Sequence, residues 1–230
     1  MREFSEFEKI INIKFKNLDI LKEAFTHRSY LNENPSWHLD HNERLEFLGD
    51  AVLELAVTEF LFSRFPNKPE GELTSFRAAL VNANMLGEIS QGINVNDYLL
   101  LSRGEAKDVG RARQYILANT FEALIGAIHV DRGYAVANDF ISRFVFPKLD
   151  KVLAKKLFRD PKSLFQEKAQ DIVGVTPTYS VVKEWGPDHN KHFIVGVFLG
   201  SELISEGEGP SKQEAQAKAA ELALEKKNWD

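Results

Sequence analysis

The chain has 230 residues, 43% of them hydrophobic, enough to bury one large core or two modest ones. The absence of cysteine excludes disulfide scaffolds, thiolate zinc sites and cysteine nucleophiles. No apolar run approaches the length of a membrane span and MREFSEFEKI lacks a signal-peptide core, so the cytoplasm is the expected compartment and no membrane is expected as partner. The net charge of −5 speaks at first sight against a nucleic-acid partner, although phosphate affinity follows local basic groups rather than the sum.

Apolar residues at helical spacing predict helices over 18–31, 43–64, 73–91, 113–131 and 134–155, so the first part is all-α. Asp160-Pro161 breaks that pattern and places a proline at the first position of a new helix, 161–172. TPTYSVVKEWG, KHFIVGVFLG and ELISEGEG then alternate as strands joined by short polar turns, and a helix over 212–227 closes the chain. The fold class is therefore multidomain: an all-α domain over 1–157 followed by a small α+β (α-β-β-β-α) domain over 158–230, with a short linker about 156–161. Residues 160–230 carry 8 Lys/Arg against 12 Asp/Glu, so any phosphate grip there must come from a few placed groups.

The segment NERLEFLGDA (42–51) sets Glu43, Glu46 and Asp50 within about 60° of one another on a helix. Three acids on one stripe repel one another unless a cation lies between them, and beside Leu45, Phe47 and Leu48 the usual answer is a hard metal ion. Favourable interaction with the helix dipole accounts for Glu43 and Glu46 equally well. It does not account for Asp50, two turns in and next to Gly49, a residue that weakens a helix and marks a close approach. Glu54 continues the stripe and reads as a solvated or locally paired side chain. In ILANTFEALIGAIHVDRG (116–133) an otherwise apolar helix is interrupted by Asn119 and Glu122 at i, i+3. Hydrogen bonding to a neighbouring helix would explain that pair alone. Packing both polar stripes together would make an oxygen-rich cage, to which Glu70 in PNKPEGEL could add an oxygen from a loop.

NERLEFLGDA resembles the signature of the ribonuclease III family, the double-strand-specific endoribonucleases. FTHRSY (25–30), PEGELTSFRAALV (69–81) and GRARQYILANTFEALIGAI (110–128) resemble further segments of that family in the order it requires. The C-terminal part resembles a double-stranded-RNA-binding domain, and together the match spans essentially the whole chain.

The resemblance implies hydrolysis of phosphodiester bonds in double-stranded RNA assisted by Mg²⁺, with Mn²⁺ able to substitute and no small-molecule cofactor. It implies products with 5′-phosphates and short 3′ overhangs, and roles in processing ribosomal and messenger RNA. Carried over by position, Glu46, Asp50, Asn119 and Glu122 are the metal residues. Asp50 and Glu122 are also catalytic, with Glu43 and Glu70 as supporting acids. Most members have Asp where this chain has Asn119, so weaker metal binding is expected, since an amide keeps the oxygen but loses the charge. Arg103 and Arg111 are candidates to meet phosphates near the scissile bond, or are plain surface charges. His27 is expected to hydrogen-bond rather than act as a base.

Phe47 cannot face its own core and the acidic stripe together, and the resemblance assigns it to the interface of a homodimer. In the second domain, Ser163, Gln166 and Gln170 match positions that reach 2′-hydroxyls and base edges in a minor groove. His189 and Lys191 lie in a loop suited to the next minor groove. Ser211 followed by Glu214 reads as a capping box with free N–H groups aimed at an anion, and the resemblance implies that this corner, with Lys212, grips phosphates. Pro210 and Gln213 stand where the family often has basic residues. The alternative is a catalytically silent RNA-binding protein on the same fold.

Overall fold

The computed structural model describes residues 3–158, 160–187 and 191–229. The chain divides into two compact units, Met1–Phe158 and Arg159–Asp230.

Helices carry the first unit from end to end: α1 (Phe4–Ile11), α2 (Leu18–Ala24), α3 (Arg28–Glu33), α4 (Glu43–Arg64), α5 (Glu70–Val81), α6 (Ala83–Gly92), α7 (Arg111–Arg132), α8 (Tyr134–Phe144) and α9 (Lys148–Ala154). Three helices expected to be continuous are interrupted, each for a local reason. Between α2 and α3, the Phe25 carbonyl accepts from the Leu100 N–H at 2.9 Å and the Leu100 carbonyl accepts from the His27 N–H at 3.0 Å. The backbone is thereby diverted into a bridge with a segment about 75 residues away in sequence. Between α5 and α6 the Asn82 side chain caps the new helix by accepting from the Met85 N–H at 2.9 Å. Before α9 stands Pro147, which has no N–H to continue a helical ladder. Helix α1 was not expected, although Phe4, Phe7 and Ile11 bury one face of it.

The core of this unit is aromatic at one end, where Phe7 meets Phe25 edge to face at 4.8 Å and Tyr98 at 5.0 Å. Its centre is the crossing of α4 and α7. Leu53, Val57 and Leu61 on α4 and Phe121, Leu124 and Ile128 on α7 are essentially fully buried, each stabilising the fold by about 1.5–3 kcal/mol relative to exposure. The two helices touch backbone to backbone at a pair of glycines. A Cβ built on Gly49 would overlap the Glu122 carbonyl and lie 2.8 Å from the Gly126 nitrogen. One built on Gly126 would overlap the Leu45 carbonyl and lie 3.2 Å from the Gly49 nitrogen. Only residues without a side chain permit this approach, and it sets Glu46 and Asp50 of α4 beside Asn119 and Glu122 of α7.

The second unit runs α10 (Pro161–Val173), β1 (Thr178–Trp185), β2 (His192–Leu199), β3 (Glu202–Gly209) and α11 (Lys212–Lys227). The strands form one antiparallel sheet in the order β1-β2-β3. Phe193, Val195 and Val197 on β2 alternate inward, and Phe165 and Ala169 of α10 and the alanine-rich face of α11 join them in burial. Asp160 caps α10 by accepting from the Ser163 N–H, and Gly174, with φ of 69°, ends it.

Candidate active site and RNA-binding surface

Glu46, Asp50, Asn119 and Glu122 meet where α4 crosses α7. The Asn119 amide lies near the Glu46 carboxylate and favours its ionised form. Burial pushes Glu46 above the ordinary carboxylate range, and the charges of Glu43 and Asp50 add to the push while the Asn119 amide opposes it. Glu122 is raised further, to about 8, first by burial and then by Asp50 and Glu46. These carboxyls are near enough to disfavour one another's ionisation, yet among the described residues no three acid or histidine side chains are drawn into a ready-made ion cage. Burial first, and then the charge of each neighbouring acid, disfavours the ionised forms of Glu46 and Glu122. The donors are all oxygens, three carboxylates and one amide carbonyl, a set that fits a hard divalent cation and offers nothing to a soft one.

The supporting acids are placed differently. Glu43 pairs with Arg28 at 3.3 Å and lies 3.8 Å from His41. Glu54 lies 4.0 Å from Arg77. Glu70 opens α5 and accepts from the Thr74 hydroxyl at 2.9 Å. It lines a depression of about 380 Å³ together with Phe62, Lys68 and Arg77 and is not drawn into the α4–α7 seam within one chain. His27 caps α3, with Nδ1 2.8 Å from the Ser29 hydroxyl, and burial lowers its pKa, so the neutral ring is the form that hydrogen-bonds.

Phe47 is 82% exposed, and Leu55 and Phe62 on the same helix are 50% and 71% exposed. They form an apolar strip that the chain itself does not cover. The Arg103 N–H donates to Glu33 at 3.1 Å, and the residue lines a polar depression with Tyr30 and Asn34. Arg111 begins α7 and sits over the Tyr115 ring, 5.9 Å from its centre. Tyr115 was not singled out from sequence, although its place four residues before Asn119 puts it on the same face of the helix.

In the second unit, Ser163, Gln166 and Gln170 share one side of α10 and line a shallow depression with Glu167. The Ser163 hydroxyl donates to Asp160 at 2.7 Å and the Gln170 amide donates to Thr176 at 2.5 Å. Lys191 lies 3.7 Å from Glu184; His189 falls outside the described residues. Ser211 caps α11 by accepting from the Glu214 N–H at 3.2 Å, and the Lys212 ammonium lies 5.6 Å from the Phe193 ring centre. Lys162, also not singled out, donates to Gln216 at 2.7 Å and sits 5.1 Å from the centre of the Tyr179 ring. Among the described residues no helix is long and apolar enough to cross a membrane.

A family model described as ribonuclease-III-like matches residues 17–149, and one described as a double-stranded RNA binding motif matches residues 161–227. Ribonuclease 3 of Borreliella afzelii is 42% identical over 222 residues, covering 96% of this chain and 90% of its own. Ribonuclease 3 of Listeria monocytogenes is 39% identical over 226 residues, covering 98% of both chains. Among solved structures, the nuclease domain of ribonuclease III from Campylobacter jejuni superposes with a TM-score of 0.57 at 38% identity. It covers 63% of this chain and 99% of that domain, for which structural flexibility in a region involved in dimer formation is described.

Proposed function

The chain belongs to the ribonuclease III family and is an endoribonuclease of double-stranded RNA, and we propose that its chemistry runs at the α4–α7 seam. The observation that carries this reading is the set of oxygen donors that the Gly49–Gly126 crossing brings together, among which burial and acidic neighbours raise Glu122 to about 8. Glu46 and Glu122 are half-buried while Asp50 stays open to water, so the seam gathers its acids at an edge that a phosphate can reach. The catalytically silent alternative is not favoured, because Glu46, Asp50 and Glu122 are all in place.

Glu46, Asp50, Asn119 and Glu122 would hold a divalent cation, Mg²⁺ by the hardness of its donors, with Mn²⁺ able to substitute. When bound, that cation supplies Lewis acidity, lowering the pKa of a water and offsetting charge on the phosphate. The chain's own groups do the rest. Glu122 would hold the cation only as the carboxylate, so its raised pKa would make cation uptake depend on pH. The Asn119 amide favours the ionised form of Glu46 but brings no negative charge of its own, as an aspartate would. Asp50, more open to water, presents its carboxylate toward the reacting phosphate. Glu43, tethered to Arg28, keeps an acid at the rim without entering the seam. Glu70 acts as a supporting acid near the RNA rather than among the α4–α7 donors, and Arg103 and Arg111 meet phosphates.

The C-terminal unit binds the duplex by shape. Ser163, Gln166 and Gln170 on α10 reach a minor groove, and Lys212 with the Ser211-capped start of α11 meets phosphates across the major groove. His189 and Lys191 serve the following minor groove. The exposed strip around Phe47 makes the chain a homodimer, so that two sites related by a two-fold axis cut both strands and leave 5′-phosphates with short 3′ overhangs. Ribosomal and other structured transcripts in the cytoplasm are the proposed substrates.

Cleavage of a long perfect RNA duplex in Mg²⁺, in Mn²⁺ and in chelator tests the reading, with Asn119→Asp and Glu122→Gln alongside. Metal-dependent cutting that Glu122→Gln abolishes and Asn119→Asp strengthens at low metal is expected. Cutting that persists in chelator, or survives Glu122→Gln undiminished, would remove the seam from the mechanism.

A further inference from the structure

Tyr115 stands one helical turn before Asn119 on α7, and Arg111 stands one turn before Tyr115. At 100° per residue, Arg111, Tyr115, Asn119 and Glu122 lie within about 80° of one another. The face that carries the metal residues therefore continues toward the start of α7 as an aromatic and a cation. Tyr115 is 47% exposed while Leu117 and Ala118 beside it are buried, so packing of the core does not require a large ring there. An exposed tyrosine is ordinary by itself. Its oxygen lies 3.5 Å from the Arg111 guanidinium, a long contact in which the guanidinium can only donate. A phenol whose oxygen accepts from a cation keeps its O–H for another acceptor. On a face that leads to the metal residues, the acceptor at hand in the working enzyme is the RNA backbone.

We infer that Tyr115, oriented by Arg111, donates a hydrogen bond to a phosphate of the cleaved strand about one turn (~6 Å along α7) from Asn119. It thereby positions the strand in the seam. The contact is a substrate-positioning one, and it rests on the endoribonuclease reading given above. Its chemistry asks for a non-bridging phosphate oxygen and is indifferent to base sequence, as a double-strand-specific enzyme requires.

The test uses the full chain and an end-labelled RNA duplex under single-turnover conditions in Mg²⁺, with wild type, Tyr115→Phe, Tyr115→Ala, Arg111→Gln and the double variant Arg111→Gln/Tyr115→Phe. Loss of a hydrogen bond to a charged oxygen predicts a fall of about tenfold in kcat/KM for Tyr115→Phe, seen mainly in KM. The double variant should fall by less than the product of the singles, because Arg111 acts partly through the tyrosine. Melting temperatures should stay within about 2 °C of wild type, as for surface positions. Wild-type kcat/KM in both Tyr115 variants overturns the inference. So does a loss of cleavage that tracks a fall in melting temperature or in dimer content, which would make Tyr115 a packing residue. Failure of the wild type to cut the duplex in Mg²⁺, and in Mn²⁺ run as a second arm, would instead sink the endoribonuclease reading, and is distinguished by the wild-type arm alone.

Discussion

Replacing Gly49 by alanine should damage this protein twice, in stability and in catalysis, through one methyl group. The new Cβ would lie 2.6 Å from the carbonyl carbon of Glu122 and 2.8 Å from the nitrogen of Gly126. Ordinary contact distances are about 3.5–4.0 Å, so α4 and α7 must part by roughly 1 Å. Both obstacles are backbone, and no rotamer change can relieve them. Overpacking of this kind lies at the upper end of the usual range, about 3 kcal/mol, which for a unit of this size lowers the melting temperature by about 6–12 °C. The same displacement moves Glu46 and Asp50 away from Asn119 and Glu122, and a misplacement of about 1 Å at a reacting centre can cost about 100-fold in rate. Thermal melts of the metal-free and Mg²⁺-loaded protein, with single-turnover cleavage well below the lower melting point, measure the two effects separately. Gly92→Ala, at the end of α6 with nothing within 4 Å of the added atom, is the control and should melt at or slightly above wild type. If Gly49→Ala melts with Gly92→Ala and cuts as wild type does, the glycine crossing does not set the geometry of the seam.

Glu122→Gln should stabilise the metal-free protein near neutral pH while abolishing cleavage. The Glu122 pKa of about 8 in the fold stands above the ordinary 4.5, so stability tied to this group is complete below pH 4.5 and is lost as pH rises through 8. Discounted for the part of the side chain still open to water, the effect is on the order of 2 kcal/mol at neutrality. Melts in chelator across pH 4–9 should slope downward for wild type and flatten in the variant; parallel curves would show that Glu122 is not strained. Lys212→Met should weaken duplex binding and reduce the slope of log K against log salt by about 0.9, the signature of one lost phosphate contact; an unchanged slope would leave Lys212 as a packing residue over Phe193. Phe47→Ala should shift the protein toward monomer at micromolar concentration in sedimentation, since a buried interface aromatic contributes about 2 kcal/mol or more. An intact dimer would place the contact elsewhere on the first unit.

The candidate site was legible because helical periodicity is local. Spacings of three and four residues are enough to put Glu43, Glu46 and Asp50 on one stripe of α4 and Asn119 and Glu122 on one stripe of α7, and Gly49 stood out as a mark of close approach. The order of helices and strands in the second unit was legible for the same reason, since alternation and caps such as Asp160 and Ser211 act over a few residues. The broken helices were not, because the Phe25–His27 break is made by Leu100 and no neighbouring residue announces it. Nor could spacing say what Gly49 approaches. The partner is Gly126, 77 residues on, and only the packed core decides that α4 lies against α7 and not another helix. The same distant packing ties Glu43 to Arg28, keeps Glu70 out of the seam and lifts Glu122 toward neutrality. A residue's face follows from the helix it sits in, whereas its charge state and its neighbours follow from what the rest of the chain buries beside it.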